Sequence, residues 1–386
     1  MRTFEKRPAL RWIAPAAALT LAVGGVLGGG VLTANADVTL PELTAEQLVA
    51  KVAAAKTPDF SGTVTETADL GLPSLPTGGS GRSVDFTSLL TGTNTLQVYV
   101  KGEDKSRVSL TGSFGESDVV RNGSDVWTWN SKAKTATRIE LPAGERTART
   151  PANPAQVPTT PEEAAKRALA AADDSTTVTL DRNRMVAGQK AYELVLTPKA
   201  TDTLVGSVRI AVDGQTFLPL GIDVYPKATP QKAAFSMDYT AIDYTAPADS
   251  TFDFSPPSGT KVTEQKAPDH AAQSGSLQGS KRALSPKERA ELERKAADQV
   301  RTVGDGWSSV LIAKVPSGAA DQTGQGGSQG GQADQWRQLL QNLPTVQGRG
   351  WTGHALNGTL FSAVLTDDGR VAVGAVPVDR LVSDLG

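Results

Sequence analysis

The sequence predicts an α+β fold built mainly of consecutive antiparallel strands. Three observations point there. Short segments that alternate apolar and polar residues recur from about residue 60 to residue 255. A helix-capping signature precedes each of two such groups of segments. The 386-residue chain carries 38 glycines and 23 prolines but only 5% aromatic residues, a composition suited to turns more than to a dense helical core.

The first helix is expected over TAEQLVAKVAAAK, with Thr44 as cap, Gln47 completing a capping box, and Leu48, Val49 and Val52 forming an apolar stripe. FSGTVTET follows as a strand. LGLPSLPTGGSGRSVDFTSLLTG has too much Gly, Pro and Ser for regular structure and reads as a long loop. NTLQVYVKG, KSRVSLTG, SDVVRNGSDVWTWNS and KTATRIELP read as strands, with Asn122-Gly123 as a two-residue hairpin turn. After the proline-rich ARTPANPAQVP comes a second helix, TPEEAAKRALAAADD, in which Thr160 caps, Pro161 occupies the first turn and Glu163 completes a box. Strands resume through KAAFSMDYTAIDYTA and end at STFDFSPPSGTKV. There Phe252 and Phe254 alternate with polar residues, and Pro256 and Pro257 are expected to end the ladder for lack of amide hydrogens. The total is about 10–11 strands with two helices, and a sheet that large curls or splits.

A polar linker is expected over 266–284, and a small C-terminal α+β unit over 285–386. Its first element reads as a charged helix, SPKERAELERKAADQVRTVG, capped by Ser285 and stopped at Gly304. WSSVLIAKVP reads as a strand, residues 317–332 as a flexible Gly/Gln/Ser insert, and QWRQLLQNLP as a short amphipathic helix. GTLFSAVLTDDGRVAVGAV reads as a hairpin turned at Asp367-Asp368-Gly369.

Residues 1–36 have a basic start, no charge from Trp12 to Ala36, and the sequence Ala-Asn-Ala before Asp37, the pattern of a cleaved export signal. An uncleaved membrane anchor is the alternative. Either places the body of the protein outside the cytoplasm. There is no cysteine, which excludes disulfides, thiolate nucleophiles and a lipid-modified N-terminal cysteine. The two histidines, His270 and His354, lie in polar or glycine-rich stretches and read as surface residues. A net charge of -2 offers no basic surface for nucleic acid. No nucleophile elbow, HExxH or phosphate-binding loop occurs. Asp173-Asp174 and Asp367-Asp368 fit turns better than paired catalytic carboxylates, and the glycine cluster at 78–82 fits a linker better than a phosphate cradle. A binding role without catalysis, metal or cofactor is therefore expected.

The N-terminal helix, the consecutive antiparallel strands, the helix between two strand groups, the hairpin VVRNGSDVWTW followed by RIELP, and the closing FDFSPPSGTKV together resemble the LolA/RseB-like lipoprotein-binding superfamily over residues 37–265. The resemblance implies an unclosed antiparallel β half-barrel whose apolar concave face is covered by helices. It also implies an exported, monomeric binding protein that holds acyl chains of a lipid or of an acylated protein as carrier or chaperone. A regulator of envelope stress that binds a membrane anti-sigma partner is the alternative, with the C-terminal unit as its interaction part. On that reading the Phe252–Phe254 strand finishes the half-barrel at its rim. The alternating apolar sets supply the candidate cavity lining: Leu96, Val98 and Val100; Trp127 and Trp129; Leu194 and Leu196; Phe235 and Met237; with Leu48, Val49 and Val52 on the first helix. No charged ligand-contact residue is carried over from the family.

Overall fold

The computed structural model describes residues 39–72, 89, 91–112, 115–141, 158–266, 300–314 and 343–386. The expected export segment, most of the 70–92 loop, the 266–284 linker beyond Lys266, the charged helix up to residue 299, the 317–332 insert and most of the helix at 335–344 lie outside the described residues.

Helix α1 (Ala45–Ala54) forms where expected. Thr44 and Gln47 exchange the two hydrogen bonds of a capping box, 3.2 and 2.9 Å long. Helix α2 (Pro161–Ala171) is capped by the Thr160 hydroxyl, but the Glu163 carboxylate accepts from the amide of Thr159 instead of Thr160.

The strands of the large sheet are β1 (Phe60–Ala68), β2 (Gly92–Lys101), β3 (Lys105–Gly112), β4 (Gly115–Asn122), β5 (Asp125–Asn130), β6 (Thr135–Glu140), β7 (Thr176–Val186), β8 (Gln189–Pro198), β9 (Val205–Asp213), β10 (Pro219–Pro226), β11 (Phe235–Asp243) and β12 (Lys261–Lys266). They form one 12-stranded sheet in the order β12-β6-β5-β4-β3-β2-β1-β11-β10-β9-β8-β7. Its edges, β12 and β7, do not pair with each other, so the sheet is an unclosed half-barrel. The β1–β11 pairing joins the two strand groups across a long sequence separation.

Three local expectations are corrected. The turn between β4 and β5 is Gly123-Ser124, because Asn122 already pairs with Asp125; Gly123 takes the positive φ of 64° that the turn needs. Phe252 and Phe254 are not in a strand. Asp249–Phe252 is a single 3-10 turn, followed by extended chain. The sheet also does not end at the prolines: after them β12 adds to β6, and this pair is parallel.

A second, six-stranded sheet has the order β13-β14-β18-β17-β16-β15. Its strands are β13 (Val300–Val303), β14 (Val310–Lys314), β15 (Thr345–Gly348), β16 (Trp351–Asn357), β17 (Ser362–Thr366) and β18 (Arg370–Gly374), and helix α3 (Val378–Leu385) packs on it. Residues 300–303, expected as the last turn of the charged helix, are strand β13, paired with β14. The β17–β18 hairpin turns at Asp367–Gly369 as expected, with Gly369 at φ 83°. Strands β15 and β16 and helix α3 were not expected.

This C-terminal unit has its own core around Val310, Trp351, Val364 and Leu381. It is also docked on the rim of the half-barrel. The amide of Leu204 donates to Ala375 O (2.7 Å), that of Thr359 to Leu70 O (2.8 Å), and the Trp307 indole to Thr176 Oγ1 (2.8 Å). Leu360, Phe361, Trp307 and Ala375 belong to the same apolar cluster as the lining of the half-barrel.

Candidate functional site

Alternation along each strand assigns every side chain to a face. The register then carries the inner face across the sheet. Phe60, Gly62 and Val64 of β1 oppose Val100, Val98 and Leu96 of β2, which oppose Ser106, Val108 and Leu110 of β3. In the other direction Met237 opposes Ile222, which opposes Ile210, which opposes Leu194. Helix α2 closes over this face: the Tyr239 hydroxyl donates to the Glu162 carboxylate at 3.3 Å, and the Tyr239 ring meets Phe60 edge-on at 5.7 Å between centroids. Gly62 permits this stacking, since a Cβ there would lie 2.7 Å from the tyrosine ring.

The structure brings most of the candidate lining together. Leu48, Val52, Leu96, Val98, Val100, Leu194, Leu196, Phe235 and Met237 are all buried in the one core beneath the helices, with Val49 partly buried beside them. Trp127 and Trp129 are corrected to the opposite face. On β5 it is Val126 and Thr128 that share the face of Leu110 and Val108, so the indoles point outward. That outer face is covered by the 246–260 segment. Phe254 lies 5.5 Å from Trp127 and 6.1 Å from Trp129 between ring centroids, while Phe252 is fully buried. The strap is fastened by Asp249 to Lys101 and Lys105, and by Asp253 to the Asn122 amide. Phe254→Ala is therefore expected to destabilise the fold by about 1–2 kcal/mol, through lost aromatic contact, in urea unfolding. It should leave any ligand uptake by the inner face unchanged.

The outer face of β7–β11 is charged. Arg184 lies 3.2, 3.1 and 3.2 Å from Glu193, Asp223 and Asp238, and Arg209 bridges Asp181 and Glu193. Burial and the neighbouring Asp223 carboxylate push Asp238 up to about 7. The aspartates of the two Asp-Asp pairs lie in turns, and His354 lies in strand β16. Asp173 accepts from the Ser175 amide, Asp368 pairs with Arg370, and His354 faces the Leu343 carbonyl.

A cleft of about 80 Å³ opens at the rim away from the C-terminal unit. Val98, Val100 and Val108 form its apolar floor, and Ser106, Lys105, Arg121 and the Thr160–Glu163 turn of α2 its polar walls. That is well below the roughly 300–1,000 Å³ of an ordinary ligand pocket, so entry of an acyl chain requires α2 and the sheet to part.

No protein-family model and no curated protein sequence matches this chain. Solved structures do resemble it. The MucA/MucB complex of Pseudomonas aeruginosa aligns over 87% of this chain and 95% of its own, at 15% identity and a TM-score of 0.43. A LolA superfamily protein from Nitrosomonas europaea aligns over 55% of this chain and 99% of its own, at 16% identity and a TM-score of 0.22. A putative outer membrane lipoprotein-sorting protein domain from Vibrio parahaemolyticus aligns over 54% and 96%, at 10% identity and a TM-score of 0.22. The likeness to these structures is one of fold alone.

One inner-face residue escaped the sequence reading. Glu66 lies on β1 between Val64 and Ala68, opposite Met237 on one side and Asn94 on the other. It is fully buried, and among the described residues neither carboxylate oxygen has a hydrogen-bond partner. Burial alone pushes it up to about 9. The sequence signal was its phase: Phe60, Gly62, Val64, Glu66 and Ala68 are every second residue.

Proposed function

We propose that this is an exported, non-enzymatic binding protein that takes the acyl chain of a lipid or acylated protein into the half-barrel. One observation carries the reading. The inner face is a broad, mainly apolar surface, interrupted on β1 by Glu66, on a sheet that does not close, and two helices of only 10 and 11 residues roof it. Such a roof can lift without breaking the sheet ladder. Each methylene then transferred from water is worth about 0.8 kcal/mol, so a moderate chain binds usefully yet reversibly. Export rests on the N-terminal segment of the sequence. Among the described residues no helix is long and apolar enough to cross a membrane.

The test is organic extraction and mass spectrometry of the protein purified without detergent, with uptake of a fluorescent fatty acid as a second reading. Val108→Asp, at the half-buried floor of the cleft, should cut uptake several-fold with an unchanged circular dichroism spectrum. Leu196→Asp is unsuitable, because Leu196 is fully buried and a charge there unfolds the core. No bound lipid, and no uptake by the wild type, would sink the carrier reading.

A second reading is favoured by the docked C-terminal unit: a regulator whose two units together hold a polypeptide of a membrane partner. Arg380 reaches Asp202 of the half-barrel at 3.0 Å. The swap Arg380→Asp should weaken such capture while leaving acyl uptake intact. Equal loss of both would favour a single lumen-centred function.

A further inference from the structure

The row of side chains that crosses the inner face through Leu180, Leu194, Ile210, Ile222 and Met237 is aliphatic on five consecutive strands. On the sixth, β1, the same row carries Glu66. Nothing in the described structure answers this carboxyl: both oxygens are buried and neither is hydrogen-bonded. A buried polar group without a partner costs free energy, and retention of one in a binding lumen points to a partner that arrives with the ligand.

We propose that Glu66 is the polar anchor of the lumen, a protonated carboxyl that donates a hydrogen bond to the acyl carbonyl at the head of a bound chain. The inference rests on the acyl-binding reading above. The chemistry follows from the surroundings. The aliphatic row offers a bound chain no hydrogen bond, so the chain's own carbonyl is the one acceptor it brings into this dry face. A neutral carboxyl has one O–H to give it. Burial holds the group protonated through neutral pH, which supports this role over that of an ammonium receptor. An ester in a lipid and an amide in an N-acylated protein present the same carbonyl.

The experiment compares two lysophospholipids with one head group and one chain length. In one the chain is joined by an ester, in the other by an ether, so only the carbonyl differs. The full-length protein should bind the ester roughly 5- to 10-fold more tightly, the worth of one net hydrogen bond. Glu66→Gln keeps a donor and should keep much of that preference. Glu66→Met should lose it, while binding the ether at least as well as the wild type. An N-palmitoyl tripeptide tests the amide source, and its affinity should fall in Glu66→Met to the same extent. If neither lipid binds the wild type, the acyl-binding reading fails. If both bind equally, or the preference survives in Glu66→Met, the anchor is overturned and the lumen reading stands. Tighter binding of a long-chain alkylammonium than of the ester, lost in Glu66→Met, would also overturn it and make Glu66 an ion-pair partner.

Discussion

Glu66→Met is expected to make the protein more stable, by about 3 kcal/mol at pH 7. The carboxyl ionises at 4.5 in an unstructured chain and at about 9 in the fold. Folding at pH 7 therefore has to load a proton onto a group that would otherwise be ionised. At 1.36 kcal/mol per unit, the 2.5 units between 4.5 and 7 correspond to about 3 kcal/mol. The sign is that of a raised pKa. The favourable proton uptake is complete below 4.5 and fades as pH rises through about 9, so the fold loses stability across that window. Methionine has no such slope, and Met237 opposite shows that the row accepts its shape. The check is urea unfolding of wild type and variant at pH 5, 7 and 9. The gap between them should widen from pH 5 to pH 9. A gap independent of pH would mean that the carboxyl is solvated or paired in solution. A residue whose replacement stabilises the fold is the kind that function retains against stability, which is why the lipid comparison and this measurement belong together.

The faces of the sheet were legible where apolar residues recur at every second position. Leu96, Val98 and Val100 fall in phase with each other and, through the register, with Val64 and Leu110, so pattern alone collected most of the residues of the inner face. Trp127 and Trp129 have the same spacing and the wrong phase. Their size suggested the lumen, but Val126 and Thr128 are inward and the indoles are covered by Phe254 from outside. Pattern gives the spacing of a face and not its identity; that comes from the neighbouring strands. The same limit applies to Phe252 and Phe254. Their alternation reads as a strand, yet they are held by side chains of β3–β5 and not by a ladder.

Other elements were hidden by composition. VQGRGWTGHALNG carries four glycines, which mask the strand pattern, yet β15 and β16 need two of them. A Cβ on Gly348 would lie 2.1 Å from the Trp351 ring, and one on Gly353 would lie 2.4 Å from the Leu365 carbonyl. Glu66 was hidden by charge: a carboxylate in an alternating strand is read as marking the wet face, and here it stands in the dry one.

Phe361→Ala is expected to weaken both units together, by about 3–5 kcal/mol, the usual cost of emptying a buried phenylalanine site. Phe361 and its neighbour Leu360 are buried in the cluster that also holds Leu70, Phe235 and Met237. The C-terminal unit is thus not merely tethered. It supplies part of the core at the rim, where β1 ends at Ala68 and β11 begins at Phe235. Removing the whole unit would also strip that rim of its apolar cover, so a point substitution is the sharper test. Unfolding followed by far-ultraviolet circular dichroism reports chiefly the large sheet, and with Trp127 and Trp129 replaced by phenylalanine, near-ultraviolet signals from Trp307 and Trp351 report chiefly the C-terminal unit. Both transitions should move to lower urea by the same amount. If the sheet transition stays in place while the tryptophan signal melts early, the units dock without sharing a core. Coincidence would carry a mechanistic consequence. A partner that binds the C-terminal unit then acts on the same packed cluster that lines the lumen, and a ligand that parts the lumen acts on the docking surface. Coupling of this kind is reciprocal, so acyl binding and partner binding would have to raise or lower each other's affinity by one common factor.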